Sequence, residues 1–250
     1  MRLDLAVLGA VVGLALASMP LFAWSGARHR HDPLAAREKG SFVLGSFVRD
    51  WFYWFVHPVV KGSLAVGLGP LFYNLTGVFF GVLAGVFFAT GWMVAGGWAV
   101  LLGGAADVLD GRIARGLGIA SRRGAFIDST LDRFAEFGAF VGLAVRFAGS
   151  PWVLVLVVAA LGGSLLVSYT RARGEGLGVD CDRVGWLQRP ERFVILGFGS
   201  IFSSLSMHLT GGREQWLLAL AVLAIAVLAN VTALQRARFV RRALREPADA

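Results

Sequence analysis

Asp107-Val108-Leu109-Asp110-Gly111-Arg112-Ile113-Ala114-Arg115, followed by Gly124-Ala125-Phe126-Ile127-Asp128-Ser129-Thr130-Leu131-Asp132, is the stretch that decides how this chain is read. Its pattern is D-x2-D-G-x2-A-R-x8-G-x3-D-x3-D. Long apolar runs flank it on both sides. Ionised carboxylates in such a setting are costly unless a cation compensates them. Four aspartates kept there imply a function that uses their charge.

The flanks extend through most of the molecule. Of 250 residues 56% are hydrophobic and only 16% charged, with a mean hydropathy of +0.67. A soluble domain carries about a quarter charged residues. The 33 glycines and 8 tryptophans agree, since Gly is frequent in membrane helices and Trp gathers at the bilayer interface. The composition predicts an all-α integral membrane protein with one catalytic bundle, because no polar stretch is long enough to bury a core of its own.

A net charge of +8 and a pI of about 10.9 would suit a nucleic-acid partner, but the placement of the charges argues against one. They fall in short clusters between apolar runs, as in cytoplasmic loops facing anionic lipid. Cys181 has no second cysteine to pair with and lies between Asp180 and Asp182, so it reads as incidental.

Leu5 to Trp24 is long enough to cross a bilayer and too long for a signal-peptide core, which predicts a retained anchor. With the basic linker that follows it forms an N-terminal unit, residues 1–40. Residues 41–60 mix Trp51, Phe52, Trp54 and Phe55 with Arg49, Asp50 and His57, the pattern of an amphipathic helix lying in the interface. A core over 61–236 follows, with spans expected near Phe72–Phe88, Trp92–Leu109, Gly124–Val145, Trp152–Tyr169, Phe193–Met207 and Trp216–Leu234, and then a basic tail, 237–250. Threading these spans places Arg112, Arg115, Arg122, Arg123, Arg171, Arg173, Arg183, Arg189, Arg192 and the tail arginines on one side. That side is cytoplasmic by the positive-inside rule, and the aspartates lie at it.

On helices, Asp107, Asp110, Gly111 and Ala114 share one face of a span, and Gly124, Asp128 and Asp132 share one face of the next. A short link makes these helices antiparallel neighbours whose acidic faces can meet. Facing carboxylates need hard divalent cations between them, and an oxygen-only donor set without His or Cys suits Mg2+ or Mn2+. Gly111, Ala114 and Gly124 leave those faces bare for a substrate, and Arg115 adds a charge suited to phosphate. The arrangement describes a diphosphate site. A structural polar network or an ion path is the competing reading, but neither needs this Gly and Ala spacing.

Asp107 to Asp132 resembles the signature of the CDP-alcohol phosphotransferase family, with every signature position filled. Tyr73-Asn74-Leu75-Thr76 resembles the stretch that opens the family's first core helix, with Tyr73 where Pro is usual. The resemblance covers about Lys61 to Arg236 and implies a six-helix transmembrane core, here preceded by an extra N-terminal transmembrane helix and the interfacial helix. It further implies a homodimer in the inner membrane with a cavity facing the cytoplasm. By position it implies Asp107, Asp110 and Asp128 as ligands of two divalent metals, and Asp132 as general base in contact with a metal. Asn74, Thr76, Gly111, Ala114, Arg115 and Gly124 are implied to line the CDP site. The implied reaction passes a phosphatidyl group from a CDP-diacylglycerol-type donor to an acceptor hydroxyl, with release of CMP.

For the acceptor, Arg171 and Arg173 close one core span while Arg189-Pro190-Glu191-Arg192 opens the next. Pro at a helix start places Arg192 in the first turn. Arginines converging from two helices suit a phosphorylated polyol, although positive-inside flanking explains any one of them equally well. Within the family these residues resemble most the branch that uses inositol phosphate, the phosphatidylinositol-phosphate synthases. Glycerol 3-phosphate is the alternative acceptor. Outside the enzymes, an ion carrier would place its acids at mid-membrane on inverted repeats, and a silent membrane scaffold would not require four aspartates.

Overall fold

The structure, a computed structural model, describes residues 2–24, 45–209 and 216–245. The expected linker 25–40 and the end of the tail, 246–250, lie outside the described residues. Among these the secondary structure is helical, with no strand. The helices are α1 (Arg2–Trp24), α2 (Gly45–Val66), α3 (Pro70–Ala89), α4 (Met93–Gly116), α5 (Arg122–Arg146), α6 (Pro151–Glu175), α7 (Arg189–Leu209) and α8 (Trp216–Ala243).

Local chemistry sets the ends. Pro70 and Pro151 open α3 and α6 at positions where a missing N–H costs nothing. Ser121 caps α5, its hydroxyl accepting from the Gly124 N–H at 3.1 Å. Gly118, at φ +67°, turns the chain between α4 and α5 in a conformation that side chains disfavour. Several helices outrun the expected spans. α4 continues from Leu109 to Gly116, α6 from Tyr169 to Glu175 and α8 from Leu234 to Ala243. Apolar run length marks the bilayer portion, but helices carry on into the charged layer where the motif lies. The helix expected to finish at Val60 likewise runs to Val66.

Four of the described helices, α3, α4, α6 and α8, are long and apolar enough to cross a membrane. α5 is not among them, because Asp128, Asp132, Arg133 and Glu136 punctuate it.

α3 lies between α4 and α5 and packs extensively on both. α4 also packs on α7, α7 on α8, and α8 on α6, which touches α5. Here the structure corrects one expectation. α4 and α5, joined by a short link, barely touch each other; they meet α3 instead. The reason is the glycine row of α3. A Cβ on Gly81 or Gly85 would collide with the backbone at Ala135 or Gly138, and one on Gly142 with the backbone of Gly85. Such small-residue rows let two backbones approach closely, where van der Waals packing drives association in lipid. A parallel device joins α4 to α7, where Gly97 faces the Gly197 carbonyl. Buried apolar residues fill the interior, among them Phe88, Leu143, Val157, Leu218, Val222 and Ile225.

α2 rests on the bundle through Val56 and Val60, which pack with Tyr73, Ala106, Leu109 and Ile113. Tyr53 lies under the Arg112 guanidinium at 4.5 Å. α1 joins α2 where Trp51 Nε1 donates to Ser18 Oγ at 2.9 Å and Phe22 meets Trp54.

The connection from α6 to α7 is held from α8. Buried Arg236 donates to the carbonyls of Val184, Val167 and Asp182 and to Gln188 Oε1, at 2.9 to 3.1 Å. Thr232 Oγ1 accepts from the N–H groups of Trp186 and Leu187. The backbone entering α7 is thereby fixed just ahead of Arg189.

Candidate active site

Three carboxylates form the centre. Asp107 and Asp110 come from the last turns of α4 and Asp128 from the second turn of α5. One ligand oxygen of each lies within 4.8 Å of the others. Between them stands Asn74 of α3, whose Nδ2 donates to Asp110 Oδ2 and, at 3.1 Å, to Asp128 Oδ1. Asn74 is expected in the CDP site, and its amide bridges two of the acids. Asp110 is 3% exposed. A buried cluster of acids is unfavourable without a counter-charge, and its oxygen-only donors fit a hard divalent cation.

Asp132 lies one turn beyond Asp128 on the same face of α5. It pairs with Arg189 of α7, which also reaches Asp107 Oδ1 at 2.6 Å. Arg189 was expected to serve an acceptor, yet here it is the counter-ion of the acids. Its guanidinium lies over the Phe193 ring at 5.0 Å.

Of the other expected CDP residues, Gly111 makes room for an arginine. A Cβ there would approach Arg115 Nη1 to 3.2 Å, so Arg115 lies over the bare turn. Ala114 continues that strip, half-buried. Gly124 is exposed at the start of α5, and Thr76 turns its hydroxyl back to the Phe72 carbonyl at 2.7 Å.

The arginines expected to converge from α6 and α7 divide. Arg192 is buried and lines the cavity; its Nε donates to Glu136 Oε1 at 2.9 Å and its Nη2 to Glu136 Oε2 at 3.4 Å. Arg171 is exposed and pairs with Glu175 at 2.9 Å and Asp182 at 2.8 Å. Arg173 is exposed as well. Neither lines the cavity. The physical reason is helix phase: α6 turns Gly174 inward against Val240 and Cys181, which directs the flanking arginines out.

The cavity runs from Asp107, Asp110 and Asp132 inward past Glu136 and Arg192 to Ala139, Leu196 and Ile225. Polar groups stand at one end and apolar walls at the other. Two of its neighbours escaped the sequence reading. Glu136 carries the Asp128–Asp132 spacing one turn further, and that i, i+4, i+8 repeat was a visible signal. Arg133 donates to Ser168 Oγ at 2.7 Å and to the Ser129 carbonyl at 2.9 Å, tying α5 to α6. No spacing rule pointed to it.

Comparison with known proteins agrees with this geometry. The CDP-alcohol phosphatidyltransferase profile matches residues 72–232. A phosphatidylinositol phosphate synthase of Streptomyces avermitilis is 36% identical over 222 residues, covering 84% of this chain and 90% of that one. An archaetidylinositol phosphate synthase of Methanothermobacter thermautotrophicus is 32% identical over 191 residues, covering 76% and 91%. Crystal structures of the Mycobacterium tuberculosis phosphatidylinositol phosphate synthase superpose with a TM-score of 0.66 at 29% identity over 76% of this chain. One holds manganese and citrate and covers 90% of that chain; another holds CDP-DAG and covers 94%. The aspartates of α4 and α5 fall inside the matched region, and this chain belongs to the CDP-alcohol phosphatidyltransferase family.

Proposed function

We propose that this protein is a phospholipid-synthesis enzyme that transfers a phosphatidyl group from a CDP-diacylglycerol-type donor to a hydroxyl of inositol phosphate, releasing CMP. One observation carries the reading. Acids suited to divalent cations and a buried arginine suited to a phosphate line the same cavity, in a chain whose relatives are named for inositol phosphate.

Asp107, Asp110 and Asp128, with Asp132 at their edge, would hold two divalent cations, Mg2+ or Mn2+, which would supply positive charge to offset the donor diphosphate and CMP. Arg115 and the bare strip of Gly111, Ala114 and Gly124 receive the cytidine end of the donor, with Asn74 and Thr76 on the facing helix. Asp132 accepts the proton of the acceptor hydroxyl. The hydroxyl oxygen bonds to the phosphorus that carries the lipid, and the bond from that phosphorus to the bridging oxygen of CMP breaks. Arg189, which pairs with Asp107 and Asp132, would with Arg192 meet the anionic acceptor. Arg171 and Arg173 contribute only longer-range attraction.

We place α3 to α8 as six transmembrane helices in the inner membrane, with the aspartate end facing the cytoplasm. The remaining segments follow from the same placement: residues 1–40 anchor the chain, 41–60 lie along the interface, 61–236 form the core and 237–250 the basic tail. The active form is a homodimer. The deciding experiment is CMP release by the purified protein with CDP-diacylglycerol and Mg2+ across inositol phosphate, glycerol 3-phosphate, inositol and serine. Turnover with inositol phosphate alone is expected. Preference for glycerol 3-phosphate would move the protein to phosphatidylglycerophosphate synthesis, and turnover with the alcohols that carry no phosphate would overturn the anionic acceptor.

A further inference from the structure

We infer that Glu136 is a positioning residue for the acceptor: it grips one edge of Arg192 and turns the remaining guanidinium nitrogen, Nη1, onto the acceptor's anionic group. The inference rests on the phosphorylated-acceptor reading above and adds a residue to it.

Glu136 and Arg192 are each 3% exposed. Two parallel hydrogen bonds join them, Nε to Oε1 at 2.9 Å and Nη2 to Oε2 at 3.4 Å. A guanidinium is planar and its donors are fixed in a fork. Once Nε and Nη2 are held, the direction of the Nη1 hydrogens is set. That nitrogen is shielded from solvent and has no hydrogen-bond partner among the described residues. A buried cationic donor left unpaired is expensive, and both residues line the cavity that holds Asp107, Asp110 and Asp132. An acceptor placed there supplies the missing oxygen.

The placement along α5 adds a second argument. Asp132 and Glu136 are one turn apart on the same face, with Cβ atoms about 5–6 Å apart. The group that takes the hydroxyl proton and the group that aims the phosphate donor are therefore spaced along one rigid helix. A phosphorylated polyol likewise separates a reacting hydroxyl from its phosphate. The Glu136–Arg192 pair has no net charge, so it selects the acceptor by hydrogen-bond direction more than by attraction.

The test compares Glu136→Gln, Glu136→Asp, Arg192→Gln and the double variant Glu136→Gln/Arg192→Gln in the purified full chain with Mg2+, CDP-diacylglycerol and inositol phosphate. Each Glu136 variant is expected to raise the acceptor KM roughly tenfold or more, the scale of one charged hydrogen bond, while the donor KM moves far less. If Glu136 acts through Arg192, the double variant is no worse than Arg192→Gln alone. Additive losses overturn the inference, as do Glu136 variants with an unchanged acceptor KM beside an impaired Arg192→Gln; both leave the phosphorylated acceptor standing. An unchanged KM in Arg192→Gln overturns the role of Arg192 itself, and the inference falls with it. If Glu136→Gln leaves a buried cation that prevents folding, the double variant removes both charges, and Glu136→Asp, which keeps the charge but withdraws it by one methylene, supplies the kinetics.

Discussion

Among single residues, the four aspartates divide by what surrounds them. Asp107, Asp110 and Asp128 converge, whereas Asp132 meets an arginine from another helix. That difference predicts different losses. Asn at Asp107, Asp110 or Asp128 should bring CMP release to background and weaken Mn2+ binding measured by calorimetry. Asp132→Asn should bind donor nearly as the parent does and weaken Mn2+ binding less than those three substitutions, yet lose about 10²- to 10⁴-fold in turnover, the usual worth of a positioned base. Turnover by Asp132→Asn within tenfold of the parent would assign the proton to another group. Cys181 shows the opposite case. It is wholly buried in the α6–α7 connection, and burial pushes its thiol pKa up, which suits an inert packing residue.

At the level of elements, the site depends on α3 standing between α4 and α5. Gly142 meets the backbone of Gly85 with no room for a side chain, and Asn74, near the start of α3, spans the aspartates of both neighbours. Gly142→Val should therefore force α3 and α5 apart. Overpacking typically costs about 1–3 kcal/mol, and a collision with backbone belongs at the upper end because no flexible side chain can yield. A lower melting temperature in detergent, with CMP release falling in step, is the expected outcome. Gly62→Ala is the control, since a Cβ on Gly62 meets nothing within 4 Å. A melting temperature for Gly142→Val equal to that of the control would mean that the close approach of α3 and α5 is not what holds the bundle.

For the molecule as a whole, charge and hydropathy act together. One end of the bundle collects the start of α3, the end of α4, the start of α5 and the start of α7 around the acids. The interior beyond is apolar. Chelation should expose how this end is held. Without a divalent cation, Arg189 pairs with Asp107 and Asp132 while Asn74 holds Asp110 and Asp128, so EDTA should stop CMP release while leaving the protein folded, and Mg2+ or Mn2+ should restore it. Arg189→Ala should make the chelated protein less thermostable than the parent, and the gap should narrow when Mg2+ is added. Equal stability of the two proteins in EDTA would deny Arg189 that role.

The sequence by itself determined the chemistry and the class. Four aspartates at helical spacing between apolar runs carry their meaning in residue type and period, both of which are local. The same holds for the start of α7, where Pro190 announced a helix that places Arg192 in its first turn. Tertiary structure alone decided which helices touch. A short link suggested that α4 and α5 pair, but close packing is governed by where glycines remove bulk, and the bare row of α3 drew both helices to it. It also decided which arginines face the cavity. Arg171, Arg173, Arg189 and Arg192 are alike as sequence, and only the rotational phase of α6 and α7 turns the last two toward the acids and the first two away. The spacing after Asp128 and Asp132 places Glu136 on their face of α5, but its pairing with Arg192, 56 positions further along the chain, is a separation over which no local pattern reports.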